Sequence, residues 1–393
     1  MNRLVYADHS ATTAVRPEVL EAMLPFLKEQ YGNPSSLYQI AQESKIALEK
    51  ARAQLARAIG AKEREIFFTG SGTEADNWAI KGVAEAMRHR GRHIITSSVE
   101  HHAVLHTCEY LEKHGFSVTY LPVDAEGTVS PKDLEAAIRP DTILVSVMMA
   151  NNEIGTINPV QELGTVCRRH QVLFHVDAVQ ALGTLPIDVE AQQIDLLSVS
   201  AHKLYGPKGV GALYVRKGVK LPPFIHGGAQ ESGRRAGTEN VAGIVGFGRA
   251  VELAVAEMDE RNAQLRAMRD RLIDTILEKV PFSRLNGARY NRLPGHASFS
   301  FSFIEGESML LLLDMKGVCA SSGSACTSGS LDPSHVLLAI GLPHETAHGS
   351  LRLTLGRENT MEDVEYIAQV LPPIVQKLRE MSPLYEDYMK QQQ

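Results

Sequence analysis

Between Glu65 and Val215 short apolar runs alternate with longer segments, and no other feature limits the fold of this chain as strongly. The runs are EIFFT (65–69), HIITSS (93–98), SVTYLPV (117–123), TILVSVMM (142–149), VLFHVD (172–177), IDLLSVS (194–200) and GALYVR (211–216). Strands that are apolar throughout belong to a sheet covered on both faces. Several intervening segments have helical spacing. GTEADNWAIKGVAEAMRHR opens with Thr73, a good N-cap, and places acidic residues in its first turn, where the helix dipole favours them. The alternation predicts an α/β fold built on a largely parallel sheet.

A chain of 393 residues is long for one core, and a second unit follows the first. Leu265, Met268, Leu272, Ile276 and Val280 recur at spacings of three and four, which predicts an amphipathic helix over 262–280. HASFSFSFI (296–304) and SLRLTLG (350–356) alternate, and read as strands with one wet face. Thr360 is expected to cap a last helix reaching about Glu380. The expected division is a large α/β domain over 16–259, with 1–15 and 260–393 forming a smaller α+β domain.

A net charge of −6 and a pI near 6.2 argue against nucleic acid as a direct partner. No apolar run approaches the ~20 residues of a membrane span. The first residues, MNRLVYADHSATT, lack the apolar core of a signal peptide, so the cytoplasm is the expected location. The four cysteines include no C-x-x-C pair, which speaks against a disulfide framework or a zinc site.

Three strand ends carry polar residues that make chemistry together. SVSAHKLYGPKG brings Ser200, His202 and Lys203 directly after a strand, where ligand sites of open α/β sheets collect. A free lysine amine of pKa ~10.4 would be neutral in only about one molecule in 2,500 at pH 7. Held as an imine with an aldehyde cofactor, it escapes that limit. FHVDAVQ ends a strand with Asp177, followed by Gln180. A carboxylate there is either a turn cap or the partner of a protonated pyridine nitrogen. TGSGTEA (69–75) places Gly72 and Thr73 at a helix start, where free N–H groups and a hydroxyl suit a phosphate. His101 follows another strand; an imidazole there could stack on a ring and move protons, or merely cap a helix. His101 and His102 point about 100° apart on a helix and make a poor metal pair, so no metal is expected.

SSGSACTSGS (321–330) poses the remaining question. Everything in it but Cys326 is glycine, alanine, serine or threonine, which predicts a mobile loop with a thiol on it. Unpaired cysteine is ordinarily a small core residue, so an exposed one on a yielding backbone needs a reason.

With these residues in hand, the chain resembles the cysteine desulfurases of the NifS/IscS type, fold-type I enzymes of the class-V aminotransferase family that use pyridoxal 5'-phosphate (PLP). The likeness runs from YADHSATT (6–13) and YGNPSS (31–36) through ANNEIGT (150–156), HVDAVQALG, SVSAHKLYGPKGVGALY, GRRAGTEN (233–240) and SSGSACTSGS to SPLYEDY (382–388). It implies that Lys203 binds the cofactor aldehyde, Asp177 pairs with the pyridinium, Gln180 bonds the ring hydroxyl and His101 stacks on the ring as acid/base. Gly72, Thr73, Ser200 and His202 would hold the phosphate, with Thr238 reaching the phosphate of the partner subunit in a homodimer. Asn152 would contact cofactor and substrate, and Arg352 would clamp the substrate carboxylate. Cys326 would accept sulfur from L-cysteine as a persulfide, leave L-alanine, and pass the sulfur to an iron–sulfur scaffold or another acceptor. A selenocysteine lyase or related aminotransferase is the alternative on the same fold, and a sulfur carrier without cofactor the alternative of another class. The thiol of Cys326 argues against a transaminase, and a carrier leaves Lys203 and Asp177 unexplained.

Overall fold

The computed structural model describes residues 3–323 and 333–392. The strands in chain order are β1 (Val5–Tyr6), β2 (Ile66–Thr69), β3 (His93–Ser97), β4 (Ser117–Leu121), β5 (Thr142–Ser146), β6 (Leu173–Asp177), β7 (Leu196–Ser200) and β8 (Gly211–Val215), then β9 (Ser283–Leu285), β10 (His296–Phe301), β11 (Val318–Cys319) and β12 (Ser350–Thr354). Each of the seven apolar runs supplies one strand of a seven-stranded sheet ordered β2-β8-β7-β6-β5-β3-β4. The sheet is mostly parallel; β8 alone runs against both its neighbours.

Two apolar layers cover this sheet. Phe174, Val176, Leu197 and Val199 join one, while Leu196 and Leu213 face the other beneath helix Gly72–Ala86 and helix His102–Glu112. Successive strand residues face opposite sides, so Asp177 lies on the same face as His175, and Ser200 on the same face as Ser198. That face is the one helix Gly72–Ala86 covers. A separate apolar core gathers helix Met258–Lys279, helix Met361–Glu380, β10 and β12.

The structure departs from the expected pattern in the second unit. β10 is the middle strand of a three-stranded sheet ordered β12-β10-β9, and all six of its residues are buried. The serine side is not wet. Asn286 Nδ2 donates to Ser298 Oγ at 3.3 Å and to Ser300 Oγ at 3.0 Å, so both serine hydroxyls find a partner inside the protein. β12 is likewise buried throughout, Arg352 included. A further helix, Pro383–Gln391, follows the one capped by Thr360.

One close approach joins sheet to site. A methyl group on Gly211 would stand 2.6 Å from the Ser71 carbonyl carbon and 2.7 Å from the Val199 oxygen, both main-chain atoms. Only glycine lets β8 pass under the turn that leads into helix Gly72–Ala86. Gly211→Ala is expected to lower stability by about 1–3 kcal/mol through overpacking, read as a lower urea midpoint. An unchanged midpoint would mean that strand and turn can part freely.

Candidate active site

β2, β3, β6 and β7 run the same way, so their carboxyl ends lie along one edge of the sheet. After β2 the chain enters helix Gly72–Ala86, and the N-cap is Ser71 rather than Thr73: Ser71 Oγ accepts from Glu74 N–H at 3.1 Å. Ser71 is extended, and Gly72 is already helical and wedged against its neighbours. A Cβ there would meet Val179 Cγ2 at 2.7 Å and Ser200 Cβ at 3.4 Å. Three strand ends therefore touch at Gly72. Thr73, in the first turn, is exposed. The first N–H groups of a helix have no partner inside it, and here they sit beside a hydroxyl. Glu74 does not oppose an anion there, because its carboxylate is taken up by Gly70 N–H and by Arg235, each at 2.9 Å.

β6 delivers Asp177 buried. Its Oδ1 accepts from Val179 N–H at 2.9 Å, so the residue caps a turn and also carries charge into the site. Burial pushes its carboxyl up to about 6, while the Val179 N–H and the nearby Lys203 hold it back from a larger rise. Gln180 Nε2 donates to Ser10 O at 3.0 Å.

β7 delivers buried Ser200 and then a short turn, Ala201–Lys203. Lys203 Nζ donates to Ser10 O at 2.6 Å and Ala11 O at 2.8 Å. His202 Nδ1 meets Thr12 Oγ1 at 3.1 Å, and burial together with Lys203 and Lys208 lowers the His202 pKa to about 4. Residues 10–13 thus form a strap over the lysine turn, closed by Thr13 Oγ1 donating to His202 O at 3.0 Å. Nothing in the sequence reading pointed to those carbonyls, although YADHSATT contains them.

His101 is the N-cap of helix His102–Glu112, and its Nδ1 accepts from Ala103 N–H at 3.1 Å. Capping and function are therefore compatible. Because that lone pair is engaged, the proton of neutral His101 sits on Nε2. Burial first, then Lys203 and His102, lower its pKa to about 4.

On β12, Arg352 is 2% exposed; Nη1 donates to Asn152 O at 3.0 Å and Nη2 to Asp8 Oδ1 at 2.9 Å. Thr238 is exposed in the loop ahead of helix Val241–Ala256. Cys326 lies outside the described residues. The strand ends thus bring Gly72, Asp177, Ser200 and the Lys203 turn together, and electrostatic contact with Lys203 adds His101.

A polar ladder behind Asp177 went unforeseen. Ser146 Oγ meets His175 Nδ1 at 2.8 Å, His175 Nε2 meets Ser198 Oγ at 2.9 Å, and Asp76 Oδ1 lies 3.6 Å from His175 Nε2. Burial and the charge of Asp177 push the Asp76 carboxyl well up. Glu100 is pushed up to about 8 by burial, although Ser97 Oγ and Met148 N–H bond its Oε1. Its sequence signal was polar residues inside apolar runs, such as His175 in VLFHVD. Among the described residues, no group of three or more histidine, cysteine or acidic side chains is placed to hold a metal ion.

This donor set fits a molecule that is at once aldehyde, phosphate ester and pyridine: an amine, a helix start with hydroxyls, and a buried carboxylate. The family model described as Aminotransferase class-V matches residues 5–367. "Cysteine desulfurase IscS" of Clostridium botulinum is 60% identical over 392 residues, covering 99% of each chain. The protein of the same name from Methanosarcina thermophila is 62% identical over 383 residues, 98% of this chain and 95% of that one. A solved "NIFS-LIKE PROTEIN" superposes with a TM-score of 0.90 at 42% identity, over 96% of this chain and 100% of the other.

His101 has a measurable consequence. Its pKa in the folded protein lies below the unfolded value of ~6.5, so it favours folding fully above that pH and loses this contribution as pH falls toward about 4. His101→Asn keeps a good helix cap without the titration. It is expected to lose less stability than the unaltered protein between pH 6.5 and 4, followed by urea unfolding. Equal losses would place the imidazole in contact with water.

Proposed function

We propose, for a chain that belongs to the class-V aminotransferase family and is a cysteine desulfurase, that the edge built by β2, β3, β6 and β7 binds pyridoxal phosphate and that Cys326 receives the sulfur. The observation that carries this reading is buried Asp177 at the end of β6, beside the Lys203 turn that follows the neighbouring β7, where the lysine charge acts on its carboxyl. Lys203 would hold the aldehyde carbon, Asp177 the ring nitrogen, and Gln180 the ring hydroxyl. Gly72, Thr73, Ser200 and His202 would seat the phosphate, joined by Thr238 from a second copy of the chain. When bound, the cofactor supplies an electron sink for bonds breaking at the substrate's Cα and beyond.

The chain's own residues do the rest. Arg352 and Asn152 orient L-cysteine, the guanidinium taking its carboxylate. Lys203 Nζ moves the proton at the substrate Cα. The Cys326 thiolate attacks the substrate sulfur, forming the S–S bond as the C–S bond breaks; that electron pair stays with carbon, and a proton completes L-alanine. A free thiol near pKa ~8.5 is only a few per cent thiolate at pH 7, so it needs help. With Nδ1 engaged by Ala103 N–H, His101 is suited to donate Nε2–H and stabilise that thiolate. The persulfide then passes to an acceptor protein, an iron–sulfur scaffold or another sulfur user. Among the described residues no helix is long and apolar enough to cross a membrane. The enzyme is proposed to work in the cytoplasm, where thiols persist reduced.

Purified holoenzyme and its Cys326→Ala variant, each incubated with L-cysteine, provide the test. The variant should keep the cofactor's absorbance and its change on adding cysteine, yet form no persulfide and release alanine at least ~100-fold more slowly. Full activity in the variant would remove Cys326 from the reaction. Absence of a pyridoxyl adduct on Lys203 after borohydride reduction would remove the site.

A further inference from the structure

YADHSATT contributes a side chain that the reaction above does not use. Asp8 follows β1 and bridges to Thr354 at the end of β12. Its Oδ1 accepts from Arg352 Nη2 at 2.9 Å, and its Oδ2 accepts from Ser321 Oγ at 2.8 Å. The Arg352 side chain is 2% exposed and that of Asp8 15%. Arg352 Nε is buried with no hydrogen-bond partner, so the guanidinium keeps donor capacity beyond Asp8 and Asn152 O.

A guanidinium cannot shed its proton, and buried in this way it requires a negative partner. Among the described residues, another carboxyl that senses Arg352 is Glu153. Burial pushes its carboxyl up to about 7, against the opposing pull of the Ser334 hydroxyl and Arg352, and so weakens it as a counter-ion. Asp8 therefore supplies the compensating charge. An incoming α-carboxylate would bring a second anion to the same guanidinium, and two carboxylates there repel each other.

We propose that Asp8 is a positioning residue that holds Arg352 in place of the substrate carboxylate, gives way when an α-amino acid binds, and reclaims the guanidinium as alanine leaves. This rests on Arg352 being the carboxylate clamp. The Asp8–Arg352 pair competes with every carboxylate ligand, so the measured affinity is the clamp's own affinity reduced by that competition. Asp8 is suited to yielding, since Ser321 still bonds its other oxygen and its partial exposure offers water. The cost in substrate affinity is matched by faster release of product, which carries the same carboxylate.

The test is competitive inhibition of the holoenzyme by L-alanine against L-cysteine. Asp8→Asn keeps the shape and one acceptor oxygen for Arg352, and turns its NH2 to Ser321 Oγ, which can accept, but removes the charge. Its inhibition constant for alanine should fall by about fivefold or more, while the variant without ligand melts lower and gains more from added alanine than the unaltered enzyme. If Asp8 merely braced Arg352, the melting temperature would drop and alanine would bind equally or more weakly, which would overturn the proposal. Should Asp8→Asn not fold, Asp8→Ser removes the same charge and reads the same constant. Asp8→Glu, charge retained, should stay within about twofold of the unaltered enzyme; a Glu variant that tightened as much as Asn would also overturn it. Arg352→Gln separates the two levels. If it binds alanine normally, the clamp itself is wrong and this proposal falls with it, whatever Asp8→Asn does.

Discussion

A carboxylate held out of water at the end of β6 is the constraint around which the site is arranged. Burying Asp177 is costly unless something meets its charge, and here a main-chain N–H and Lys203 do so. Lys203 in turn is steered by the carbonyls of Ser10 and Ala11. Lys203 thus links this sheet edge to a strap from the beginning of the chain. Two residues before that strap, Asp8 bonds Arg352, which belongs to the second core. Large unit, N-terminal strap and small unit meet over a few polar contacts.

Burial acts on the surrounding groups in the direction of neutrality. It lowers the imidazoles of His101, His175 and His202 and raises the carboxyls of Asp76 and Glu100. Asp177 rises less than Glu100, because the Lys203 charge acts on it while Glu100 senses the charge of Asp177. Negative charge on this edge is therefore concentrated where a pyridinium would need it. The polar ladder of Ser146, His175 and Ser198 continues to Asp76, which takes a hydrogen bond from Ser198, so its donors are met inside an apolar layer.

The seven strands and the helix over 258–279 were legible because each rests on local periodicity and on which residues must leave water. The misreadings were also local in origin. Thr73 looked like the cap because threonine is a good one, but contact of Gly72 with Val179 and Ser200 starts the helix after Ser71. The serines of β10 looked wet because polar residues usually are; Asn286, just after β9, bonds them instead. The Ser10 and Ala11 carbonyls left no trace, since a main-chain acceptor has no letter of its own. Asp8 had a letter but no local reason to be singled out.

What the sequence determined by itself is the set of groups: an amine, carboxylates, imidazoles and glycines placed just after apolar runs, and hence the sheet edge on which they would appear. Alternation and strand direction are written in neighbouring residues, so those consequences could be read directly. The tertiary structure decided which atoms of those groups remain for chemistry. It engaged His101 Nδ1 with a helix start, gave Lys203 two carbonyls and set Asp8 on Arg352 across 344 residues of chain. Such assignments depend on the distance between residues remote in sequence, and hydrogen bonds and buried charges are settled by that distance alone.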